Sequence, residues 1–390
     1  MKNNLKKTHF VAKILCPVFL LALSLPFAAF AQIPVDLPPG CEVGTLPADP
    51  EDQIILICTP VPAQNFNGTI VAYAHGYVNP QEPLSLPWEE LAAFLPVVEI
   101  LLQNGMIFAT TSCSKNGYAI EQCGDNINDL VAFVKDRIPE GISPKVLATG
   151  ASEGAGVVSM LIEKYPDTYD GALTLCGPVG GMPYQIDYLG DFRVVFDYFF
   201  PGVIPRDGIY DLTPVTLEEW NDIKADIQSA VDARPDLAEQ VFNVTDAAAL
   251  PGLLGDSAVN ILKFSVVGVK DLVETSGGRP FGNKWSWYRG SNDDRALNAG
   301  VERVRSTRKG RKYVRKFYNT IGDLQQPVVS LHTIQDDVVP YRHELLYKFK
   351  VLLQGNHRQF ISLPVIRFGH CNFEPTEVFG AFWLLMMMAD

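Results

Sequence analysis

Residues 144–166 read PKVLATGASEGAGVVSMLIEKYP. An apolar, strand-like run from Val146 to Thr149 meets a turn of small residues, Gly150-Ala151-Ser152-Glu153-Gly154, and gives way to a helical pattern carrying Val157, Val158, Leu161 and Ile162. The segment reads as a strand, a sharp corner and a helix. A serine at such a corner sits in a strained backbone conformation, and the residues two before and two after it must be small. Gly150 and Gly154 meet that need, so the pentapeptide fits G-x-S-x-G and makes Ser152 a candidate nucleophile. A Gly-Ser-Gly turn is often only a loop. The strand before it and the helix after it carry the assignment.

Upstream, Gln53 to Cys58 (QIILIC) and Thr69 to Ala74 (TIVAYA) are strand-like runs separated by the turn Asn65-Phe66-Asn67-Gly68. The second run ends in His75-Gly76-Tyr77, which places backbone N–H groups at a sheet's carboxyl edge, where ligands collect in open α/β sheets. Trp88 to Leu102 has helical periodicity, and Met106 to Thr111 reads as a buried strand. Ser112 to Gly124 reads as a polar loop, and Asp125 to Ile138 as an amphipathic helix. Gly171 to Leu175, Pro327 to Thr333 and His357 to Leu363 add strands, and Pro375 to Met388 a final helix. Gln32 to Asp52, rich in Pro and Gly, reads as an irregular entry. Strands alternating with helices imply an α/β fold with a mostly parallel sheet and crossover helices on both faces.

From about residue 179 to 324 the alternation lapses. Leu217 to Val231 and Pro235 to Phe242 read as helices, and aromatics gather at Tyr198, Phe199, Phe200 and Trp285-Ser286-Trp287-Tyr288. A large, mainly helical insertion fits, placed as a lid over the sheet edge. Its aromatics either line a substrate pocket or fill the insertion's own core. Trp285 and Trp287, with His75, are the candidate pocket residues. The expected organisation is a signal peptide at 1–31, a first core segment at 32–178, the lid at 179–324 and a second core segment at 325–390.

The signal-peptide reading rests on Lys2, Lys6, Lys7 and Lys13 ahead of an apolar run, closed by Ala29-Phe30-Ala31. Cys16 lies inside that run, away from any lipoprotein box. The run is short for a bilayer span, and no later segment is a continuous apolar stretch of spanning length. A secreted or periplasmic product without stable membrane insertion is expected. Without the four lysines the chain carries 28 basic against 44 acidic residues, a balance of −16, which disfavours nucleic acid as a partner. One local exception stands out. Arg303, Arg305, Arg308, Lys309, Arg311, Lys312, Arg315 and Lys316 crowd one segment, either as a solvated face offsetting the acidic remainder or as a surface for an anionic partner.

Six cysteines remain after cleavage: Cys41, Cys58, Cys113, Cys123, Cys176 and Cys371. An even count in an exported chain suggests disulfides, with fifteen connectivities open in principle. Proximity suggests Cys41 with Cys58 and Cys113 with Cys123, which leaves Cys176 with Cys371. No His/Cys spacing matches a zinc site, so neither metal nor cofactor is expected.

A serine hydroxyl is a weak nucleophile at neutral pH, and needs a base beside it and a carboxylate to orient that base. Ser152, Asp336 and His370 run nucleophile, acid, base along the chain, each just after a strand. Asp337 rivals Asp336, which comes sooner after its strand. His332 lies inside an apolar strand and reads as packed; His343 falls in the helical pattern YRHELLYKF and reads as exposed. His370 sits in a Gly-flanked loop. The backbone N–H groups of Tyr77 and Glu153 are the expected oxyanion donors. The Glu153 side chain either binds a cationic group or rests on a helix dipole.

Four motifs, YAHGY at 73–77, GASEG at 150–154, HTIQDDVVPY at 332–341 and GHCNF at 369–373, together resemble those of a secreted α/β-hydrolase superfamily serine hydrolase of the carboxylesterase, feruloyl-esterase and prolyl-oligopeptidase-like kind. The resemblance implies an α/β-hydrolase fold and a triad of Ser152, Asp336 and His370 cleaving a small-molecule or polymeric carboxylic ester through an acyl-enzyme. A peptidase or amidase is the alternative, and a catalytically silent binding protein on the same scaffold a second. Tannase and feruloyl-esterase relatives often carry a cysteine immediately before the nucleophile, bridged to the one after the histidine. Here Ala151 fills the first position and Cys371 the second, which points to Cys176 as the partner of Cys371.

Overall fold

The computed structural model of the chain describes residues 36–390. The signal-peptide expectation for residues 1–31 lies outside them. Eight strands form one sheet: β1 (Cys41–Leu46), β2 (Gln53–Cys58), β3 (Thr69–Ala74), β4 (Ile107–Thr111), β5 (Lys145–Ala151), β6 (Gly171–Leu175), β7 (Val328–Gln335) and β8 (Phe360–Phe368). Their spatial order is β1-β2-β4-β3-β5-β6-β7-β8. The first two join antiparallel, and β3 to β8 run parallel. The central strands are buried along their whole length, as the unbroken apolar runs of β3, β4 and β6 require when helices cover both faces.

Five helices flank the sheet: α1 (Trp88–Gln103), α2 (Ile120–Lys135), α3 (Glu153–Lys164), α11 (Arg342–Leu353) and α12 (Pro375–Ala389). On one face α2 and α3 close a core with Ile127, Leu130, Val131, Val158 and Leu161. On the other, α1 and α12 do so with Leu91, Val98, Phe382 and Leu385. Seven further helices lie between β6 and β7: α4 (Met182–Phe199), α5 (Leu217–Ala233), α6 (Pro235–Thr245), α7 (Leu254–Val266), α8 (Val269–Ser276), α9 (Asp294–Gly300) and α10 (Arg308–Phe317). Their aromatics extend the core of the α2–α3 face, with Phe192 against Phe242 at 5.3 Å and Phe196 stacked on Phe200 at 4.8 Å. This sheet order, with its antiparallel lead-in, crossover helices and strand-corner-helix at β5–α3, is that of the α/β-hydrolase fold.

Three local expectations are corrected. The entry segment is not irregular throughout, because Cys41 to Leu46 pairs residue for residue with β2 and the Cys41–Cys58 bridge fastens that ladder. The helix expected from Asp125 begins at Ile120, because the Glu153 carboxylate takes up the Ala119 N–H just ahead of its first turn. The last strand runs from Phe360 to Phe368, and His357 to Gln359 form a 3₁₀ turn. Pro364 does not end that strand, because β8 is the sheet's edge and a missing donor is tolerated there.

Candidate active site

The corner after β5 is built by exclusion. Ser152 has φ 52° and ψ −122°, a left-handed conformation that costs a non-glycine residue about 1–3 kcal/mol and persists only where its surroundings enforce it. A Cβ on Gly150 would overlap the Gly154 backbone, and one on Gly154 would overlap the Ala74 carbonyl oxygen. Both positions therefore admit only glycine, and α3 packs directly beneath the end of β3. The Ser152 N–H donates to the Leu175 carbonyl at 2.9 Å, which anchors the corner to β6.

Three side chains distant in sequence meet at this corner. The Ser152 hydroxyl lies 2.8 Å from His370 Nε2, and His370 Nδ1 lies 2.7 Å from Asp336 Oδ2. Asp336 is wholly buried, and its other oxygen accepts the N–H groups of Val338 and Val339 at 2.9 and 2.8 Å. A carboxylate so held cannot swing. Its neighbour Asp337 faces the insertion instead: Asn260 of α7 reaches its carboxylate at 3.4 Å, and Tyr188 of α4 donates to its carbonyl at 2.5 Å.

Below Asp336 lies a second imidazole. His332 is buried in β7, with Nδ1 3.1 Å from Glu344 Oε1 and Nε2 2.9 Å from the Val339 carbonyl. Burial alone would depress its pKa, but hydrogen bonding and charge at Asp336 and Glu344 outweigh that and lift it to about 10. Burial likewise opposes the Asp336 carboxylate. His370 and His332 together reverse the effect and hold it below the usual carboxylate range. His343, expected on an exposed helix face, is fully buried, because α4 covers that face and Gln185 bonds its Nε2 at 2.9 Å.

At the end of β3, both oxygens of Glu90 accept the Gly76 N–H, at 3.2 and 3.1 Å, and Tyr73 donates its hydroxyl to the same carboxylate. This fixes the peptide just ahead of Tyr77. The Tyr77 N–H has no hydrogen-bond partner among the described residues. Glu153 opens α3, where the first N–H groups lack acceptors within the helix. The Tyr77 ring packs edge-on between Tyr118 and Phe264, at 5.4 and 5.0 Å. The Glu153 carboxyl is turned away from Ser152 and accepts the Ala119 N–H at 2.9 Å. Burial pushes it up to about 8 against the opposing pull of that N–H.

The Glu153 shift has a sign that can be measured. In the unfolded chain a glutamate loses its proton near pH 4.3, whereas here it keeps it to about pH 8. Between those values the unfolded state binds fewer protons, so stability contributed through this group falls as pH rises. Glu153→Gln keeps the acceptor for Ala119 and removes the titration. Urea midpoints taken from pH 4.5 to 8 are expected to show the variant gaining on the wild type at each step. Parallel curves would place this carboxyl in water.

The pocket over Ser152 has a volume of about 490 Å³ and is walled by Phe94, Leu175, Phe264, Val338 and Phe373, with Lys263 and Asn260 of α7 at its insertion side. Three expected pocket residues are absent from its walls. His75 turns its Nδ1 to the Gly76 carbonyl at 2.6 Å and buries Nε2 without a partner beside the Cys113–Cys123 bridge. Trp285 and Trp287 stand 88% and 62% exposed, because Arg303 holds their loop by the carbonyls of Asn283 and Ser286, the Asn283 side chain donates to the Glu302 carbonyl, and the indoles are left outside. Glu90, Lys263 and Phe264 had no motif to mark them. The one sequence signal was periodicity, which places Asn260, Lys263 and Phe264 on a common face of α7.

The described cysteines pair as Cys41–Cys58, Cys113–Cys123 and Cys176–Cys371. Among the described residues two groups of metal-ligand type occur, His75 with Cys113 and Cys123, and His370 with Cys176 and Cys371. In each the two sulfurs are spent on one another, so neither group offers a thiolate. The Cys176–Cys371 bridge lies directly behind His370.

No family model and no curated protein matches the chain. Among solved structures it is similar to Est1E from Butyrivibrio proteoclasticus, at 12% identity over 89% of this chain and 98% of that one, with a TM-score of 0.42. It is similar also to Candida antarctica lipase A in its closed state, at 15% identity over 90% and 77%, with a TM-score of 0.46. A third is Pyrococcus horikoshii acylaminoacyl peptidase, at 9% identity and a TM-score of 0.44; 89% of this chain is covered, but it spans only 40% of the peptidase.

Proposed function

We propose that the protein is an exported serine hydrolase that cleaves carboxylic esters. The observation that carries this reading is the unbroken chain of contacts from Ser152 through His370 to Asp336 at the mouth of a pocket. In the proposed cycle His370 Nε2 takes the hydroxyl proton as Ser152 Oγ attacks the ester carbonyl. Asp336 holds the tautomer that leaves Nε2 free to accept and steadies the imidazolium that forms. The N–H groups of Tyr77 and Glu153 receive the developing oxyanion. Collapse expels the alcohol, which takes its proton from His370. Water, deprotonated by the same nitrogen, then attacks the acyl-enzyme and releases the acid.

The predominantly apolar walls favour an acyl or aryl group over a peptide backbone, which would need polar partners along its length. An ester's alcohol is also expelled more readily than an amide's amine, and a pocket without a carboxylate free to hold a substrate amine suits ester cleavage better. Glu90, the carboxylate on that wall, is already occupied by Gly76 and Tyr73. Export is supported by three disulfides, which persist in oxidising compartments.

A fluorophosphonate probe is the direct test. It should attach at Ser152 alone, with nitrophenyl esters of short acids turned over and peptide nitroanilides left intact. Folded protein that resists the probe would overturn the hydrolase reading, and faster cleavage of the anilides would turn it into an amidase.

A further inference from the structure

Between Glu302 and Asp323 the sequence holds eight arginines and lysines and no acidic residue. If these cations served only to offset the acidic remainder, they would be found paired with carboxylates. They are not. Arg311 reaches Asp187 at 3.0 Å, and Arg303 is engaged by backbone carbonyls. Arg305, Arg308, Lys309, Lys312, Arg315 and Lys316 are exposed and have no carboxylate within 4 Å among the described residues. On α10 the exposed cations fall at 308, 309, 312, 315 and 316, which is one helical face, while Gly310 and Val314 bury the other.

An independent feature adjoins this face. The loop carrying Trp285 and Trp287 runs alongside the extended segment that leads into α10: the Val304 N–H donates to Asn283 Oδ1 at 2.9 Å, and the Thr307 N–H to the Arg279 carbonyl at 2.7 Å. Arg303 donates to the carbonyl of Ser286, the residue between the two tryptophans, at 2.8 Å, and the Lys284 ammonium lies 4.5 Å from the Trp285 ring. Two exposed indoles thus stand on a loop that adjoins the segment leading into the cationic helix.

We propose that this surface docks the protein on anionic lipid bilayers. Arginine and lysine side chains are drawn to the negative leaflet, and indoles settle at headgroup depth, where the ring is dehydrated while its N–H keeps a polar partner. No helix among the described residues is long and apolar enough to cross a membrane, so the attachment is peripheral. The acidic balance of the exported chain, 28 basic against 44 acidic residues, keeps the remainder off the same leaflet and gives the attachment one orientation. A soluble polyanion could satisfy the cations, but it leaves the exposed indoles unexplained.

The test is sedimentation of the exported chain, from residue 32 on, with vesicles of phosphatidylglycerol and phosphatidylcholine in equal parts, against vesicles of phosphatidylcholine alone. Binding to the first and not the second is expected, lost when ionic strength is raised well beyond physiological, with a blue shift of tryptophan emission. The triple change Arg308→Glu, Lys312→Glu, Arg315→Glu should lower partitioning tenfold or more. Trp285→Ala with Trp287→Ala should keep salt-sensitive attraction but lose most of the emission shift. Circular dichroism checks that both variants are folded. Equal partitioning to both vesicles, none to either, an unaffected triple variant, or capture by soluble heparin with none by the anionic vesicles would each overturn the proposal.

Discussion

Ser152→Ala is expected to lower turnover of a nitrophenyl ester by roughly 10⁴- to 10⁶-fold, the range for removing the nucleophile of a serine triad, with residual rate from binding and the oxyanion donors. The fold should survive. Ser152 contributes to stability through its backbone, whose N–H is held by Leu175, and alanine keeps that bond. Its side chain makes one hydrogen bond, to a partly exposed imidazole. Alanine also inherits the left-handed conformation at φ 52°, whereas glycine does not suffer from it. Ser152→Gly should therefore be as inactive as the alanine variant yet more stable, by about 1 kcal/mol, in urea unfolding. Residual turnover within tenfold of wild type in either variant would move the chemistry to another residue.

Asp336→Asn comes next, with an expected loss of about ten-thousandfold in kcat, because an amide facing His370 Nδ1 favours the tautomer that blocks Nε2 as a base. The substitution is nearly isosteric. Its oxygen can still accept from Val338 and Val339, so geometry is preserved while electrostatics change. The control is built into the sequence. Asp337→Asn alters a carboxylate that faces Asn260, leaves the backbone carbonyl that accepts from Tyr188 in place, and should leave kcat within a few-fold. Equal losses from both would mean that the loop, rather than one carboxylate, is what the substitutions disturb. Measuring kcat and KM separately settles this, since loss of orientation falls on kcat and distortion of the pocket on both.

The elbow could be read because its steric demand is local: two glycines and a serine must stand at fixed spacing whatever surrounds them. Alternation of strands and helices likewise survives in the linear pattern, since each strand's apolar run records burial on both faces. The order of Ser152, Asp336 and His370 narrowed the candidates, and the preference for Asp336 over Asp337 rested on the strand end alone. What the sequence could not carry was the identity of covering surfaces. His343 repeats at helical spacing, but whether that face meets water depends on α4, more than a hundred residues away. Trp285 and Trp287 look like core residues by composition. Hydrogen bonds from Asn283 and Arg303 to distant backbone decide otherwise. Glu90 carries no linear signal for the same reason, because its partners Tyr73 and Gly76 lie in β3 and just after it, on the far side of a loop.

The bridge from Cys176 to Cys371 has a bearing on biosynthesis. Ser152 and His370 are 218 positions apart, and the cysteine that secures the imidazole loop emerges from the ribosome after both the corner and all seven inserted helices. A nascent or truncated polypeptide lacking that stretch owns a hydroxyl but no base. On the proposed hydrolase reading, competence is thereby deferred until synthesis has passed residue 371, when the imidazole and the cysteine that fastens its loop are both present.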